Sequence, residues 1–220
     1  MGAGGQLGSC LLRRFAMDAD LYWVGFTRNN LDVCDAHRIQ EVLSAESPDF
    51  VINAAAYTDV DKAESDQKMA WEVNAVAPGV IARICCELNI ALVHLSTDYV
   101  FNGKEGGTEA RPYLESDIVS PLGVYGESKA EGERAIAAEM NKGGGRYHIV
   151  RTGWLYDNVG HNFFTTMVKL GQERSDINVV YDQRGTPTYA GSLSEALRML
   201  VLKGGDVKHG VLHFSDEGVT

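Results

Sequence analysis

Gly2-Ala3-Gly4-Gly5-Gln6-Leu7-Gly8 decides how the rest of the chain is read. Glycines at 2, 5 and 8 stand three apart at the mouth of a helix whose apolar face is Leu7, Leu11 and Phe15, spaced i, i+4, i+8. Without side chains, Gly2 and Gly5 let the backbone turn sharply and approach a pyrophosphate, and Gly8 lets the helix pack closely on a sheet. The free N–H groups and positive dipole end of the helix then favour the anion. Taken alone, the pattern also fits an ordinary glycine-rich turn. A phosphate turn of this kind calls for a strand before it, and only Met1 precedes Gly2. The reading therefore expects either a truncated chain or one whose numbering starts after its first strand.

Working outward, residues 21–26 form a short apolar run that reads as a buried strand. Residues 35–45 are amphipathic and stop before Ser47-Pro48, a helix ending in a proline signal. Residues 50–54 are a second strand, 62–86 a helix interrupted near Pro78, and 90–95 a third strand. A helix over 125–140 and a strand over 148–151 follow. Segments 162–172, 178–181, 192–202 and 211–214 continue the alternation. Strand and helix taking turns in this way predicts an α/β fold, a Rossmann-type doubly wound parallel sheet. Ligands of such sheets bind at the carboxyl ends of the strands.

Composition narrows the function. The 220 residues carry 20 Lys+Arg against 30 Asp+Glu, a formal charge of −10, so a nucleic-acid binder or a protein adhering to anionic membranes is disfavoured. No apolar run reaches the roughly 18 residues of a membrane span, and no signal-peptide core opens the chain. Cys10, Cys34, Cys85 and Cys86 form no C-x-x-C pair and read as reduced core thiols of a cytoplasmic protein. The six histidines lack H-E-x-x-H spacing, and no metal site is expected. Neither a G-x-S-x-G elbow nor a G-x-x-x-x-G-K-[ST] loop occurs.

Tyr125-Gly126-Glu127-Ser128-Lys129 places a phenol and an ammonium one helical turn apart. Gly132 continues that face and permits close approach of a neighbouring element. A phenol titrates near ~10, and an ammonium about 6 Å away at an effective dielectric near ~20 lowers that by about two units. The spacing thus predicts that Lys129 brings Tyr125 into the range of general acid–base work. Ser96-Thr97-Asp98 ends the third strand, where a hydroxyl can bond the carbonyl oxygen that Tyr125 protonates. After the second strand, Arg28 stands where a 2′-phosphate would sit, a weak lean toward NADP; a plain surface Arg fits equally. Asn74 reads either as an ordinary helix residue or as a helix break beside the site. Glu127, Glu131 and Glu133 read as a solvated helix face.

With these motifs the sequence resembles the extended short-chain dehydrogenase/reductase family. Within it, the chain is most similar to the branch that reduces the C4 ketone of dTDP-4-dehydro-L-rhamnose. The likeness rests on residues 51–64 (VINAAAYTDVDKAE), 95–101 (LSTDYVF), 121–129 (PLGVYGESK), 151–156 (RTGWLY) and 182–188 (DQRGTPT). It implies an NADPH- or NADH-dependent oxidoreductase acting on a dTDP-sugar in deoxysugar-nucleotide and cell-surface polysaccharide biosynthesis, and allows a homodimer. Gly2, Gly5, Gln6, Leu7 and Gly8 would hold the cofactor phosphates. Asp32 and Val33 would lie near the adenine, and Ala56, Tyr57 and Thr58 would border the ribose and nicotinamide. Thr97, Tyr125 and Lys129 would be catalytic, with Tyr125 as proton donor and Lys129 also on the nicotinamide ribose. Thr97, Asp98, Trp154 and Val60 would meet the sugar nucleotide. Residues 1–151 would form the NAD(P)-binding domain. Residues 152–220 would mix part of a substrate lobe with returning sheet elements, stopping short of a complete lobe. Two rivals share the fold: another sugar-nucleotide epimerase or dehydratase, and a non-catalytic NADP-binding regulatory subunit.

Overall fold

The computed structural model describes residues 1–104, 111–203 and 207–218. A parallel sheet organises them, with strands β1 (Phe50–Asn53), β2 (Ala91–Thr97), β3 (Tyr147–Thr152) and, after a long excursion, β6 (Gly210–His213). Spatial order is β1-β2-β3-β6, each neighbouring pair parallel. Two-residue strands β4 (Leu155–Tyr156) and β5 (Thr188–Tyr189) pair beside it, a small sheet that the sequence reading did not anticipate.

Side-chain alternation along the strands sorts the helices onto two faces. Leu92 and Ile149 point to one side, where α2 (Ala36–Glu46), α5 (Ala77–Glu87) and α6 (Val124–Gly143) bury Ile39, Ile81, Ile136 and Met140. Val93, Leu95 and Val150 point to the other, against Leu7 and Leu11 of α1 (Gln6–Arg14) and Leu193 and Leu197 of α8 (Ala190–Leu202). Both faces of the sheet are covered, as the continuous apolar reading of 90–95 requires. Asp35 caps α2 by accepting a hydrogen bond from Arg38 N. Asn162 caps α7 (Phe163–Glu173) in a reciprocal box with Thr165.

Three expectations fail for identifiable reasons. Residues 21–26 are extended but belong to no ladder; a lone backbone bond, Ala3 N to Phe26 O at 2.9 Å, ties that stretch to the glycine turn. Met1 lies beside the exit of β1, its amine donating to Ile52 O at 2.7 Å and its carbonyl accepting from Ala54 N. The apolar groove between residues 21–26 and 50–52 has a volume of about 390 Å³. Residues 178–181 are exposed and irregular, and among the described residues no strand pairs with them. Finally, the break in 62–86 falls before Pro78. The run divides into α3 (Val60–Ala63), α4 (Gln67–Trp71), a π-helical turn (Glu72–Val76) and α5, in whose first turn Pro78 sits unstrained. The turn expected at Asn102-Gly103 is present, with Lys104 N donating to Asn102 Oδ1; positions 105–107 of that expected loop lie outside the described residues.

Helix α6 is pinned to this framework by contacts that apolar periodicity does not reveal. Glu133, expected in solvent, is buried and grips Arg151 of β3 through Nε (3.0 Å) and Nη2 (2.6 Å), while Ser96 Oγ donates to its Oε1. Glu127 is exposed and Glu131 pairs with Arg134, as expected of an outer face. A Cβ on Gly132 would stand 2.1 Å from the carbonyl oxygen of Asn74, so only glycine lets α6 close on the π-helical turn. Two consequences can be measured. Gly132→Ala should lower stability by about 1–3 kcal/mol through forced separation of the two helices; an unchanged thermal midpoint would contradict the contact. Glu133→Ala leaves the Arg151 charge buried and unpaired, and should cost about 3–5 kcal/mol in a denaturant melt. A loss below about 1 kcal/mol would mean that the pair behaves like an exposed surface bridge.

Candidate active site

The glycine turn comes first along the chain. Gly2 has φ +79°, and a Cβ there would stand 2.5 Å from Ala55 N, so this residue must be glycine for the turn to rest on the exit of β1. A Cβ on Gly8 would reach within 2.3 Å of Gly2 O. Gly5 N closes the turn on Gly2 O at 3.0 Å. Helix α1 then starts with no side-chain cap and no acidic residue in its first turn. The Gln6 amide nitrogen is buried without an acceptor. Donors left open at a helix N-terminus fit a diphosphate. Gln6 offers its side chain to this place; Leu7 is buried among core residues, so its contribution there is through the backbone. Arg28 is exposed, 3.6 Å from the Asp32 carboxylate, and Asp32 Oδ1 accepts from Cys34 N. The Val33 side chain lies in the core, leaving its main chain to face any base.

From β1 the chain runs through Ala54–Thr58, past the glycine turn and toward α6. Asn74 holds it there. This buried amide sits in the π-helical turn, accepts from Tyr57 N at 2.9 Å, and donates to Tyr57 O at 3.0 Å and Ser128 Oγ at 3.2 Å. Ser128 Oγ in turn donates to Tyr125 O at 2.8 Å. Of the two readings open for Asn74, the structure selects the helix break. Gly132 supplies the room, and the freed amide joins Ala56, Tyr57 and Thr58 to the helix that carries Tyr125. Glu64 completes the joint by accepting from Val124 N at 2.9 Å, which caps the amino end of α6 from a remote segment.

At the carboxyl end of β2, Thr97 stands beside the Tyr125 phenol, and the Tyr99 ring meets that of Tyr125 edge-on at 5.6 Å. Thr97 Oγ1 donates to Asp98 Oδ1 at 3.1 Å and accepts from Tyr99 N. Burial pushes the phenol up to about 12, with Thr97 pulling the other way. The depression expected from Lys129 is not found. Lys129 Nζ instead runs inward, donating to Leu95 O at 2.6 Å and lying 3.1 Å from His94 Nε2. Burial lowers this amine to about 8, against the opposing pull of Glu133. Tyr125 is thus a protonated phenol at neutral pH, suited to give a proton rather than to take one.

Asp98 and Trp154 both lie where the chain leaves the sheet after β2 and β3. A Cβ on Gly153 would stand 2.5 Å from Asp98 Oδ2, so the chain leaving β3 lies against that carboxylate. Trp154 has φ +46° and is 38% exposed, its indole resting on Gly185. Val60 begins α3 after the Tyr57 segment. Sequence reasoning missed His94, Asn53 and Glu64. A histidine inside the otherwise apolar run 90–95 was the available signal, as was an asparagine ending the strand 50–53.

The chain is similar to several known proteins. The family described as RmlD substrate binding domain matches residues 1–220. A dTDP-4-dehydrorhamnose reductase of Mycobacterium tuberculosis is 42% identical over 220 residues, an alignment covering 99% of this chain and 69% of that protein. The crystal structure of a dTDP-4-dehydrorhamnose reductase from Clostridium acetobutylicum superposes with a TM-score of 0.89 at 33% identity, covering 99% of this chain and 73% of that one. The enzyme of the same name from Bacillus anthracis, solved in complex with NADP, gives 0.87 at 36% identity, covering 99% and 73%. With a phosphate-type glycine turn, a π-turn asparagine, and Thr97 and Tyr125 gathered at the ends of β1 and β2, the chain belongs to the RmlD family, that of the dTDP-4-dehydrorhamnose reductases.

Proposed function

We propose that this chain reduces the C4 ketone of dTDP-4-dehydro-L-rhamnose to dTDP-L-rhamnose, a step of deoxysugar-nucleotide supply for cell-surface polysaccharide, at the expense of NADPH or NADH. The observation that carries the reading is the Tyr125 phenol beside Thr97 at the carboxyl end of β2, on a helix tied by Asn74 to the segment that abuts the glycine turn.

The bound nicotinamide cofactor supplies the hydride that the ketone carbon receives. Everything else falls to the protein. The turn at Gly2, Gly5 and Gly8, with Gln6 and the backbone of Leu7, binds the diphosphate; Asp32, Val33 and Arg28 border the adenosine. Ala56, Tyr57 and Thr58 form the wall beside ribose and nicotinamide. Thr97 holds the carbonyl oxygen by a hydrogen bond, and Tyr125 delivers the proton to that oxygen as negative charge grows on it. A phenol at about 12 keeps its proton until such charge develops. Lys129, which the family likeness assigns to the nicotinamide ribose, is buried with its Nζ on Leu95 O and would have to swing outward to reach that ribose. Asp98, Trp154 and Val60 line the sugar-nucleotide side.

We infer the same division along the chain: residues 1–151 as the cofactor domain, and residues 152–220 as part substrate lobe, between β3 and α8, and part elements (α8, β6) that return to the first sheet. Support comes from α7, which buries none of its side chains and leaves Phe163, Phe164 and Val168 facing outward. Cytoplasmic residence and assembly as a homodimer belong to the same proposal; four free cysteines support the first.

Tyr125→Phe should lower kcat by about 10²–10⁴-fold while NADPH affinity, followed by fluorescence titration, stays within twofold. Retention of full turnover would remove Tyr125 from the proton step. Arg28→Ala should weaken NADPH about tenfold or more and leave NADH unchanged, since a charged hydrogen bond to a 2′-phosphate is worth about 1.5–3 kcal/mol. Equal effects on the two cofactors would make Arg28 a surface residue.

A further inference from the structure

The anchor that Glu133 and Arg151 give to α6 does not stop at β3. It runs on across β6 to the segment 111–120, which leads into α6 just ahead of Tyr125. Arg151 gives Nε and Nη2 to Glu133, and its Nη1 lies 3.4 Å from His213 Nε2. The other ring nitrogen, His213 Nδ1, is 3.2 Å from Tyr113 O, and His213 N donates to Glu115 Oε1 at 3.0 Å. Strand register sets this row, with Ser96 of β2 level with Arg151 and Arg151 level with His213.

The partners dictate where the imidazole carries its hydrogen. A carbonyl oxygen only accepts, so Nδ1 must donate to Tyr113 O. A guanidinium only donates, so Nε2 must present its lone pair to Arg151. The neutral tautomer with hydrogen on Nδ1 satisfies both. The imidazolium does not: its second N–H would point at a guanidinium that is 6% exposed and held in place by Glu133.

Segment 111–120 is seated on the elements that carry Thr97 and Tyr125. Tyr113 stacks on Phe101 with ring centroids 4.1 Å apart, and the His213 ring meets Phe101 edge-on at 5.8 Å. Tyr113 and Val119 pack against Val100, Phe101 and Ala130, which join the turn after Thr97 to α6. Ser120 N donates to Val100 O at 2.8 Å.

We propose that His213 is a positioning residue for Thr97 and Tyr125. In its neutral form it locks segment 111–120 to the Glu133–Arg151 pair, and on protonation it lets that segment go. The surroundings of the ring set the sign. Burial opposes a positive charge there most strongly, and Arg151 of β3 opposes it as well. Glu115 of the segment and Glu133 of α6 favour one, but Glu133 is already gripped by Arg151. Asp117 of the segment is engaged by Arg111. The balance leaves His213 below the ordinary histidine value. The unfolded chain then binds this proton more strongly than the folded one. Stability given by neutral His213 is therefore present above about pH 6.5 and lost as pH falls below it. The inference uses the proposed reductase reading only for what the segment positions, not for the state of the ring.

The test needs neither cofactor nor turnover. Long-range proton–nitrogen correlation on 15N-histidine protein, with the His213 ring assigned by its contact to Phe101, should show hydrogen on Nδ1 and a bare Nε2 near neutral pH. The titration midpoint of the ring should fall below the ordinary value near 6.5. Between about pH 7.5 and 5.5, amide exchange in 111–120, corrected for its intrinsic pH dependence, should quicken about three- to tenfold in the wild type. In His213→Gln, which keeps a neutral polar group but does not titrate, the same change should stay under about twofold. Hydrogen on Nε2, a midpoint at or above the ordinary value, or wild-type exchange that ignores the titration overturns the proposal. So does a folded His213→Gln protein in which the acid-driven quickening persists, since buried His94 and His148 would then be its source. If that variant fails to fold, the wild-type ring and exchange data decide alone. Absence of reductase activity with these signals intact counts against the functional reading only.

Discussion

Everything at this site depends on how close α6 comes to the carboxyl ends of β1 and β2. Three polar anchors and one missing side chain set that distance. Glu133 grips Arg151, Asn74 bonds Ser128, and Lys129 reaches Leu95 O, while Gly132 removes the atom that would collide with the π-turn. Each anchor takes a polar or charged group out of water, and each is acceptable only because its partner is already in place. The result is a helix with little freedom to slide, and therefore a phenol held in one position relative to Thr97. Apolar contacts such as Ile136 and Met140 supply adhesion to the sheet; they do not supply that register.

Burial has opposite consequences for the two ionisable groups one turn apart. It disfavours the charged form of each, so the phenol rises to about 12 and the amine falls to about 8. The linkage signs follow. Between about 8 and the ordinary lysine value near 10.4, the unfolded chain binds the Lys129 proton more strongly, so this group's cost to stability lessens as pH rises through that window. Between about 10 and 12 the folded state holds the Tyr125 proton more strongly, and stability from that group is lost as pH climbs. Near neutrality the site is thus arranged to release a proton only toward a stronger base, such as an oxygen gaining charge from hydride attack.

Much of this was legible in the residues themselves. Alternating apolar runs announced the parallel sheet, the 2-5-8 glycines announced the turn, and Tyr125, Lys129 and Thr97 were named from spacing and position. What escaped detection has a common physical origin. Residues 21–26 have a strand's composition, but a ladder needs a neighbour, and composition says nothing about who the neighbour is. Glu133 looks like a solvent-facing glutamate until Arg151, 18 positions away, is brought against it by the crossover to β3. His94 and Asn53 lie 41 positions apart and become a pair only through the β1–β2 register. The pKa expectation for Tyr125 erred for a similar reason: i, i+4 spacing places two side chains on one face without saying where a four-carbon arm then points.

Transfer of isotope tests the functional account most directly. With NADPH deuterated at the transferable position of the nicotinamide and dTDP-4-dehydro-L-rhamnose as acceptor, the account predicts deuterium at C4 of the sugar in the dTDP-L-rhamnose formed, with one equivalent of cofactor oxidised per label transferred. Label at another carbon, or cofactor that stays reduced while the nucleotide sugar is epimerised or left unchanged, would contradict it.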